Sequence, residues 1–344
     1  MSPARPPEVA VLAVDGGNSK TDLLLVAPDG RLLASGRGPT SSHQKVGMDA
    51  GAERLVEQAD AAWARAGLGP AAGRPAAAVG SYALAGADTP ADVRRLRAAF
   101  ETRRLASTTL IVNDSIAPIR AGSERGWGVG LICGAGVNAA GIGPDGRIAR
   151  LAALGPISGD WGGGGALGMA ALGAAVRARD GRGPRTVLER MVPAFFDMRR
   201  PIDVTYAIEY GRLPETALYG LSPTVFAAAR DGDAVAQGIL DRLADELATM
   251  ATAIIRRLHL ARRDPVVVLA GGVFRARDAS LEARIAAGIQ AVAPGATIRR
   301  LDAPPVLGAA LLGLDRLPGR SSSERAAAER RLRADVSASE LGGA

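Results

Sequence analysis

The sequence predicts an α/β protein of two similar domains facing one cleft. Two observations carry this. An order of strand, glycine turn, strand, Pro-Asp-Gly and strand opens the chain and returns in its middle, at Trp127 to Leu151. Apolar runs of strand length then alternate with helical periodicity after the opening pattern. The length, 344 residues, fits about two domains and a substantial buried core without staples.

The first strand is Val9 to Val14, bounded by Pro7 and Gly16. Leu23 to Ala27 and Arg31 to Ser35 flank Pro28-Asp29-Gly30, whose residue types build a hairpin turn. Three antiparallel strands therefore begin the chain, with DGGNSKT (Asp15 to Thr21) at the first turn. Helical periodicity follows over Asp49 to Ala66. Ala76 to Leu84 reads as a strand, Pro90 to Leu105 as a helix and Thr109 to Val112 as a strand, and a helix starts in Ser115 to Ala121. The second cycle runs Trp127 to Cys133, Gly134-Ala135-Gly136, Val137 to Ile142, Pro144-Asp145-Gly146 and Arg147 to Leu151. A glycine-rich stretch, Gly159 to Gly168, leads into a helix at Ala166 to Arg179. Residues 185 to 262 read as mostly helical, with Ala234 to Leu260 the most periodic stretch. Pro265 to Ala270 is a buried strand ending in Gly271-Gly272. A helix (Leu281 to Val292), a strand (Thr297 to Leu301) and a helix (Val306 to Leu314) close the fold. The expected division is 1–122 and 123–318, the second carrying a helical insertion. Serine, charge and alanine then mark 319–344 as a mobile tail, in which Ala326 to Arg333 has helical character.

Composition excludes several chemistries. Cys133 is the lone cysteine, so one chain can build no internal disulfide, cysteine zinc cage or all-cysteine iron–sulfur cluster. Its apolar strand end predicts a buried, inert thiol. The net charge of +7 invites a nucleic-acid partner, but the basic residues are scattered and aromatics make up 3%, too few for base-stacking platforms. No nucleic-acid partner is expected. The start, MSPARPPEVA, has no apolar core of signal type. The most apolar stretches are about eight residues, far short of a membrane span. A cytoplasmic protein without a membrane partner is expected.

The chemistry-bearing motifs lie at strand ends. In DGGNSKT, glycines at a tight turn let backbone N–H groups approach phosphate oxygens. Ser19 and Thr21 add hydroxyls, and Lys20, one of two lysines in an arginine-rich chain, adds a compact cation. Asp15 at the strand end is suited to hydrated Mg²⁺. The plainer reading is an ordinary hairpin turn. Gly134-Ala135-Gly136 occupies the equivalent turn of the second cycle, as a second phosphate cradle or a simple glycine turn. Asn113-Asp114 follows a strand directly, where α/β folds place ligand-contacting groups. A carboxylate there can take the proton of an attacking hydroxyl or merely cap the next helix. In SGDWGGGG (Ser158 to Gly165), Asp160 is a candidate for substrate hydroxyls, and the glycines permit close approach, a hinge or a linker. LAGGVF (Leu269 to Phe274) and PPVLGAALLG (Pro304 to Gly313) present backbone to a nucleoside or simply pack. His43 lies in a polar loop and either touches substrate or is solvated. His259 reads as structural, inside an apolar-periodic helix.

DGGNSKT, VNDS, CGAGVNAAG, SGDWGGGG and LAGGVF, in that order over about residues 8 to 316, resemble the BadF/BadG/BcrA/BcrD ATPase family, in particular its N-acetylglucosamine kinase type within the actin-like ATPase and sugar-kinase superfamily. The resemblance implies two ribonuclease-H-like domains around a central cleft and ATP-dependent phosphorylation of an amino sugar at its 6-hydroxyl, most simply N-acetylglucosamine. It implies Asp114 as general base and Asp15 as the Mg²⁺ residue. Gly16, Gly17, Asn18, Ser19, Lys20 and Thr21 would hold the ATP phosphates, with Gly134, Ala135 and Gly136 as the second turn. Gly271, Gly272 and Gly308 would lie by the nucleoside. Ser42, His43, Asn113, Val137, Asn138 and Asp160 would bind the sugar beside Asp114. A homodimer is implied as well. Three departures stand out: Ala135 and Val137 replace the usual threonine and serine, and Trp161 replaces a glutamate. A glucosamine kinase, or a nucleotide-binding regulator with slow ATP hydrolysis, are the competing readings. The single cysteine opposes the family's iron–sulfur activators.

Overall fold

Val11, Leu12, Ala13 and Val14 are all buried, alternate residues serving opposite faces of one strand. A strand covered on both sides reads as a continuous apolar run. The computed structural model describes residues 9–68, 76–339 and 341. The reading of the amino-terminal MSPARPPE falls outside them, as do the last positions of the carboxyl-terminal segment. Among the described residues, no helix is long and apolar enough to cross a membrane.

The chain divides into two units, 1–127 with 301–344, and 128–300. In the first, β1 (Val11–Gly16), β2 (Lys20–Val26) and β3 (Leu32–Pro39) form the antiparallel meander. Next come α1 (His43–Val46), α2 (Met48–Arg65), β4 (Ala77–Leu84), α3 (Pro90–Arg103), β5 (Ala106–Asn113) and α4 (Ala117–Gly122). The sheet order is β3-β2-β1-β4-β5, with β4 parallel to both β1 and β5. Leu12, Val14, Leu23 and Leu25 pack with Leu55 and Trp63 of α2 on one face.

The second unit repeats the plan. Its elements are β6 (Gly128–Cys133), β7 (Val137–Ile142), β8 (Ile148–Arg150), α5 (Gly163–Arg179), α6 (Leu188–Phe195), α7 (Pro201–Glu209), α8 (Ser222–Arg230), α9 (Ala234–Arg257), β9 (Val266–Ala270), α10 (Ala279–Gln290) and β10 (Thr297–Arg300). Its sheet runs β8-β7-β6-β9-β10, with β6–β7–β8 antiparallel and β6–β9–β10 parallel. The two sheets therefore share one topology, and the α/β duplication read from the turns is present in the strand order. The helices α6, α7 and α8 lie between α5 and α9, where the sequence placed a helical insertion.

Two expectations are corrected here. The chain does not stay in the second unit to residue 318, but returns to the first at Leu301. There α11 (Val306–Leu314) packs on β1, β4 and α4. The segment 319–344, expected as a mobile tail with helical character over Ala326 to Arg333, carries the longer helix α12 (Ser322–Ser337). Ser321 and Glu324 cap it reciprocally, and Ala328, Leu332 and Val336 enter the core beside Leu311 and Leu314. A helical spacing of four with only three apolar residues is a narrow stripe, easily read as polar sequence.

Smaller differences have local causes. Helix α5 begins at Gly163 rather than Ala166, so three glycines of the run are helical. Helix α9 ends at Arg257, and His259 sits beyond it, exposed, with φ 56°. It is a residue of the helix end rather than of a buried helix face. Cys133 is fully buried, and burial pushes its thiol up to about 12, which keeps it protonated and unreactive.

Candidate active site

In the first unit the carboxyl ends of three parallel strands stand in register. Gly16 is opposite Leu84, and Leu84 is opposite Asn113. The chain leaves each strand at the same edge, which brings Asp15, the segment 85–88 and Asn113-Asp114 together. This is where open α/β sheets offer groups to ligands. The Asp114 N–H donates to Leu84 O at 3.3 Å, fixing the aspartate's backbone across the gap between β4 and β5.

Asp15 is half-buried and faces Asp22 across the β1–β2 ladder. Asp22 is 1% exposed and receives Arg37 Nε at 2.6 Å and Lys20 Nζ at 3.0 Å. Asp15 is raised from the usual 3.8 to about 7. Burial is the largest cause, then the like charges of Asp114 and Asp22, with Lys20 pulling the other way. Carboxylates held against that much repulsion favour a hard cation, and Mg²⁺ keeps most of its waters and needs only one or two protein oxygens. Asp15, with Asp114 nearby, fits such an ion. Among the described residues no group of three or more His, Cys, Asp or Glu side chains forms a metal cage.

The turn after β1 is closed by Gly17 N–H donating to Lys20 O at 3.0 Å. Asn18 and Ser19 form its exposed tip. Gly16 is buried, and a Cβ there would lie 2.7 Å from a Leu84 methyl. Thr21, placed by its motif among the phosphate residues, is 0% exposed, and its hydroxyl pairs with Ser41, accepting from Ser41 N–H at 2.9 Å. It braces the turn instead of projecting from it. Thr40 Oγ1 donates to Gly17 O at 2.8 Å and Ser42 Oγ to Asn18 Oδ1 at 2.7 Å. The segment Thr40 to Ser42 thus holds the turn in shape, a role the sequence reading gave to none of these hydroxyls.

His43 begins α1, and its ring edge meets Gly86, where a Cβ would lie 2.7 Å from His43 Cε1. Asp88 connects this corner to the strand ends: Asn113 Nδ2 donates to Asp88 Oδ1 at 2.9 Å and Gln44 Nε2 to Asp88 Oδ2 at 3.3 Å. Asn113 Oδ1 in turn accepts from the Ser115 N–H and hydroxyl. The structure therefore gathers Asp15, Ser42, His43, Asn113 and Asp114 at one edge. Asp88 was missed, although its position just past β4 is the signal that singled out Asp114.

In the second unit Gly134 N–H donates to Gly136 O at 2.9 Å, closing the equivalent turn. The first amides of α5 seat against it: Gly164 N–H donates to Gly134 O at 2.7 Å and Gly165 N–H to Ala135 O at 2.9 Å. Gly163 has φ 75°, and a Cβ on it would fall 2.5 Å from Gly136 Cα. The glycine run is thus a packing surface that lets a helix start directly under the turn, not a linker. Gly134 and Gly136 themselves face open space. Val137 is buried beside Gly162, and Asn138 pairs with Ile132 in the β6–β7 ladder. Asp160 accepts from the Gly155 N–H at 3.1 Å and from the Ser158 hydroxyl. Trp161 lies under the Arg242 guanidinium at 4.0 Å. Gly136, Val137, Asp160, Trp161, Tyr219 and Arg242 line one cavity of about 550 Å³, of a size that takes small ligands.

The three nucleoside-edge glycines separate. Gly271 has φ 110°, and a Cβ there would lie 2.4 Å from Cys133 O, so only glycine fits beside β6. Gly272 is exposed next to it. Gly308 is buried in α11, in the other unit, and a Cβ there would lie 1.8 Å from Ala117 O. It presents no surface to a cofactor; it lets α11 approach α4.

Twin five-stranded sheets of one topology, each opening with a glycine turn between its first two strands, define a duplicated α/β protein. The chain belongs to the BadF/BadG/BcrA/BcrD ATPase family, whose model matches residues 12–313. It is 28% identical over 316 residues to the N-acetyl-D-glucosamine kinase of Dictyostelium discoideum, covering 88% of this chain and 97% of that protein. It is 28% identical over 267 residues to the N-acetylmuramic acid/N-acetylglucosamine kinase of Clostridium acetobutylicum, covering 77% and 85%. A solved structure from Chromobacterium violaceum, provisionally named an N-acetylglucosamine kinase, superposes with a TM-score of 0.68 at 26% identity over 89% of this chain and 99% of that one.

Proposed function

We propose that this chain is an ATP-dependent sugar kinase that phosphorylates the 6-hydroxyl of an N-acetylated amino sugar, N-acetylglucosamine first. The observation that carries the reading is Asp114 beside the Asp15 carboxylate at a common strand edge, in a chain whose relatives along nearly its whole length are named as kinases of this sugar class. In phosphoryl transfer the protein supplies position and charge stabilisation more than covalent chemistry. Asp114 accepts the proton of the sugar hydroxyl as its oxygen attacks the terminal phosphorus of ATP. The Asn113 side chain, held by Asp88 and Ser115, keeps the strand end bearing Asp114 in place. Asn18 and Ser19 at the first turn, and Ala135 and Gly136 at the second, offer backbone donors to the phosphates. Asp160 accepts hydrogen bonds from sugar hydroxyls, and Ser42 and His43 lie toward the C2 substituent. Asp15 would hold Mg²⁺, which when bound would neutralise phosphate charge. Gly272 borders the nucleoside.

The test is a panel of N-acetylglucosamine, glucosamine, N-acetylmuramic acid and no sugar, each with MgATP, reading ADP and phosphosugar together. Phosphosugar formed stoichiometrically with ADP, best with an N-acetylated sugar, is the expected result. ADP release that ignores every sugar would overturn the kinase reading and favour a nucleotide-hydrolysing regulator.

A further inference from the structure

We propose that α12, which lies wholly outside the residues matched by the family model, is a positioning device for Asp114. The inference rests on the reading of Asp114 as the base.

Asp114 stands three residues before α4, a helix of only six residues. So short a helix holds its place through its neighbours rather than by its own hydrogen bonds. Three contacts supply that hold. From one side α11 closes on it, with Gly308 against the Ala117 carbonyl. From the other, Arg120 is almost fully enclosed, its side chain 7% exposed. Its guanidinium donates to Asp315 at 2.9 Å and to Glu329 of α12 at 2.7 Å and 2.9 Å. Finally Arg333 of α12 reaches the carboxyl end of α4, donating to Ala121 O at 2.6 Å and Arg120 O at 3.3 Å. The last carbonyls of a helix lack partners within it, and a cation there satisfies them and matches the helix dipole. Glu329 links both arginines, accepting from Arg333 at 2.7 Å. The far side of α12 is tied separately to the β2–β3 hairpin, through Arg331 to Asp29 at 2.6 Å and the Leu32 N–H to Asp335 at 3.0 Å. The helix thus spans from the hairpin to the short helix that follows the candidate base, and two of its side chains do nothing visible except fix α4. A displacement of about 1 Å in a reacting group can cost about a hundredfold in rate, so such a brace belongs to the activity although it touches no substrate.

The two attachments allow a matched comparison. Glu329→Gln with Arg333→Gln releases α4; Arg331→Gln with Asp335→Asn releases the hairpin. With N-acetylglucosamine and MgATP, the first pair should lower kcat about tenfold or more, with KM for both substrates within about twofold, because the binding groups stay in place. The second pair should leave kcat within about twofold even where its Tm falls as far. Arg333→Gln alone, which keeps the Glu329–Arg120 pair, covers the case in which the double variant does not fold, and should show the same split with a smaller loss. Equal kcat losses in both pairs, or an unchanged kcat after release of α4, would overturn the proposal. Asp114→Asn separates the two readings: if it turns over normally, the assignment of the base fails and the brace with it. If it is inactive while the α4-releasing variants are not, only the brace fails.

Discussion

Asp15 gives the account a consequence that needs no substrate. In the folded chain its carboxyl holds its proton to about 7, against 3.8 ordinarily. The unfolded chain therefore releases this proton first as pH rises, and the folded state binds more protons throughout the interval. Stability from this group is fully present below pH 4 and is lost as pH climbs through 7. At 1.36 kcal/mol per pH unit the whole loss is about 4 kcal/mol, more than half of it between pH 5 and pH 8. Urea unfolding of the parent and of Asp15→Asn at those two pH values reads this term together with its coupling to Asp114 and Asp22. The variant should gain on the parent by about 2–3 kcal/mol between pH 5 and pH 8. Millimolar Mg²⁺ should stabilise the parent at pH 8 and not the variant, because an ion bound only by the folded state adds its binding free energy to stability. Parallel pH profiles for the two proteins, within about 0.5 kcal/mol, would refute the crowded-carboxylate picture of this edge.

Other substitutions probe separate joints of the fold. Gly308→Ala should destabilise by about 1–3 kcal/mol through overpacking against Ala117, seen as a lower Tm, while leaving the KM for ATP unchanged; a raised KM with an intact Tm would restore Gly308 to the nucleoside edge. Gly163→Ala adds both a left-handed backbone and a clash with the 134–136 turn, and should cost about 2 kcal/mol or more and raise the KM for ATP, if that turn cradles phosphate. Arg120→Ala leaves Asp315 without this partner and Glu329 with Arg333 alone, and should cost about 1–3 kcal/mol, readable in thermal unfolding. For Glu329 burial works against the charge, but Arg120 and Arg333 outweigh it and hold the carboxyl below its usual range. The stability it contributes is present above pH 4.5 and disappears as pH falls through its lowered value, so Glu329→Gln should flatten the acid limb of the unfolding profile.

The parts of the fold that were legible are those fixed by local chemistry. Asp29 and Asp145 each accept from the N–H two residues on, Arg31 and Arg147 at 3.1 Å, so the two Pro-Asp-Gly turns announced both meanders. The strand-end rule put Asn113 and Asp114 at the carboxyl end of a strand, and the structure has them there, with Asp114 near Asp15. What escaped the sequence was relational. Thr21 looks like a phosphate residue by motif, and only the position of Ser41, twenty residues away, turns it inward. The run Gly162 to Gly165 is read as flexible until Gly136, Val137 and Tyr219 occupy the space where its side chains would go. Gly308 carries the same lesson across helices. Helix α12 was taken for a tail because its contacts with the rest of its unit are mostly made by charged side chains and three apolar residues, a pattern that looks solvated until Arg120 and the hairpin are in view. Asp88 lay in plain sight but has no motif of its own.

The central claim is that Asp114 takes the proton from the attacking sugar hydroxyl. Turnover of Asp114→Asn with N-acetylglucosamine and MgATP, measured alongside calorimetric binding of ATP, tests it most directly. The account predicts a fall in kcat of about 10²–10⁴-fold with ATP affinity essentially retained. Parental turnover in that variant would contradict it.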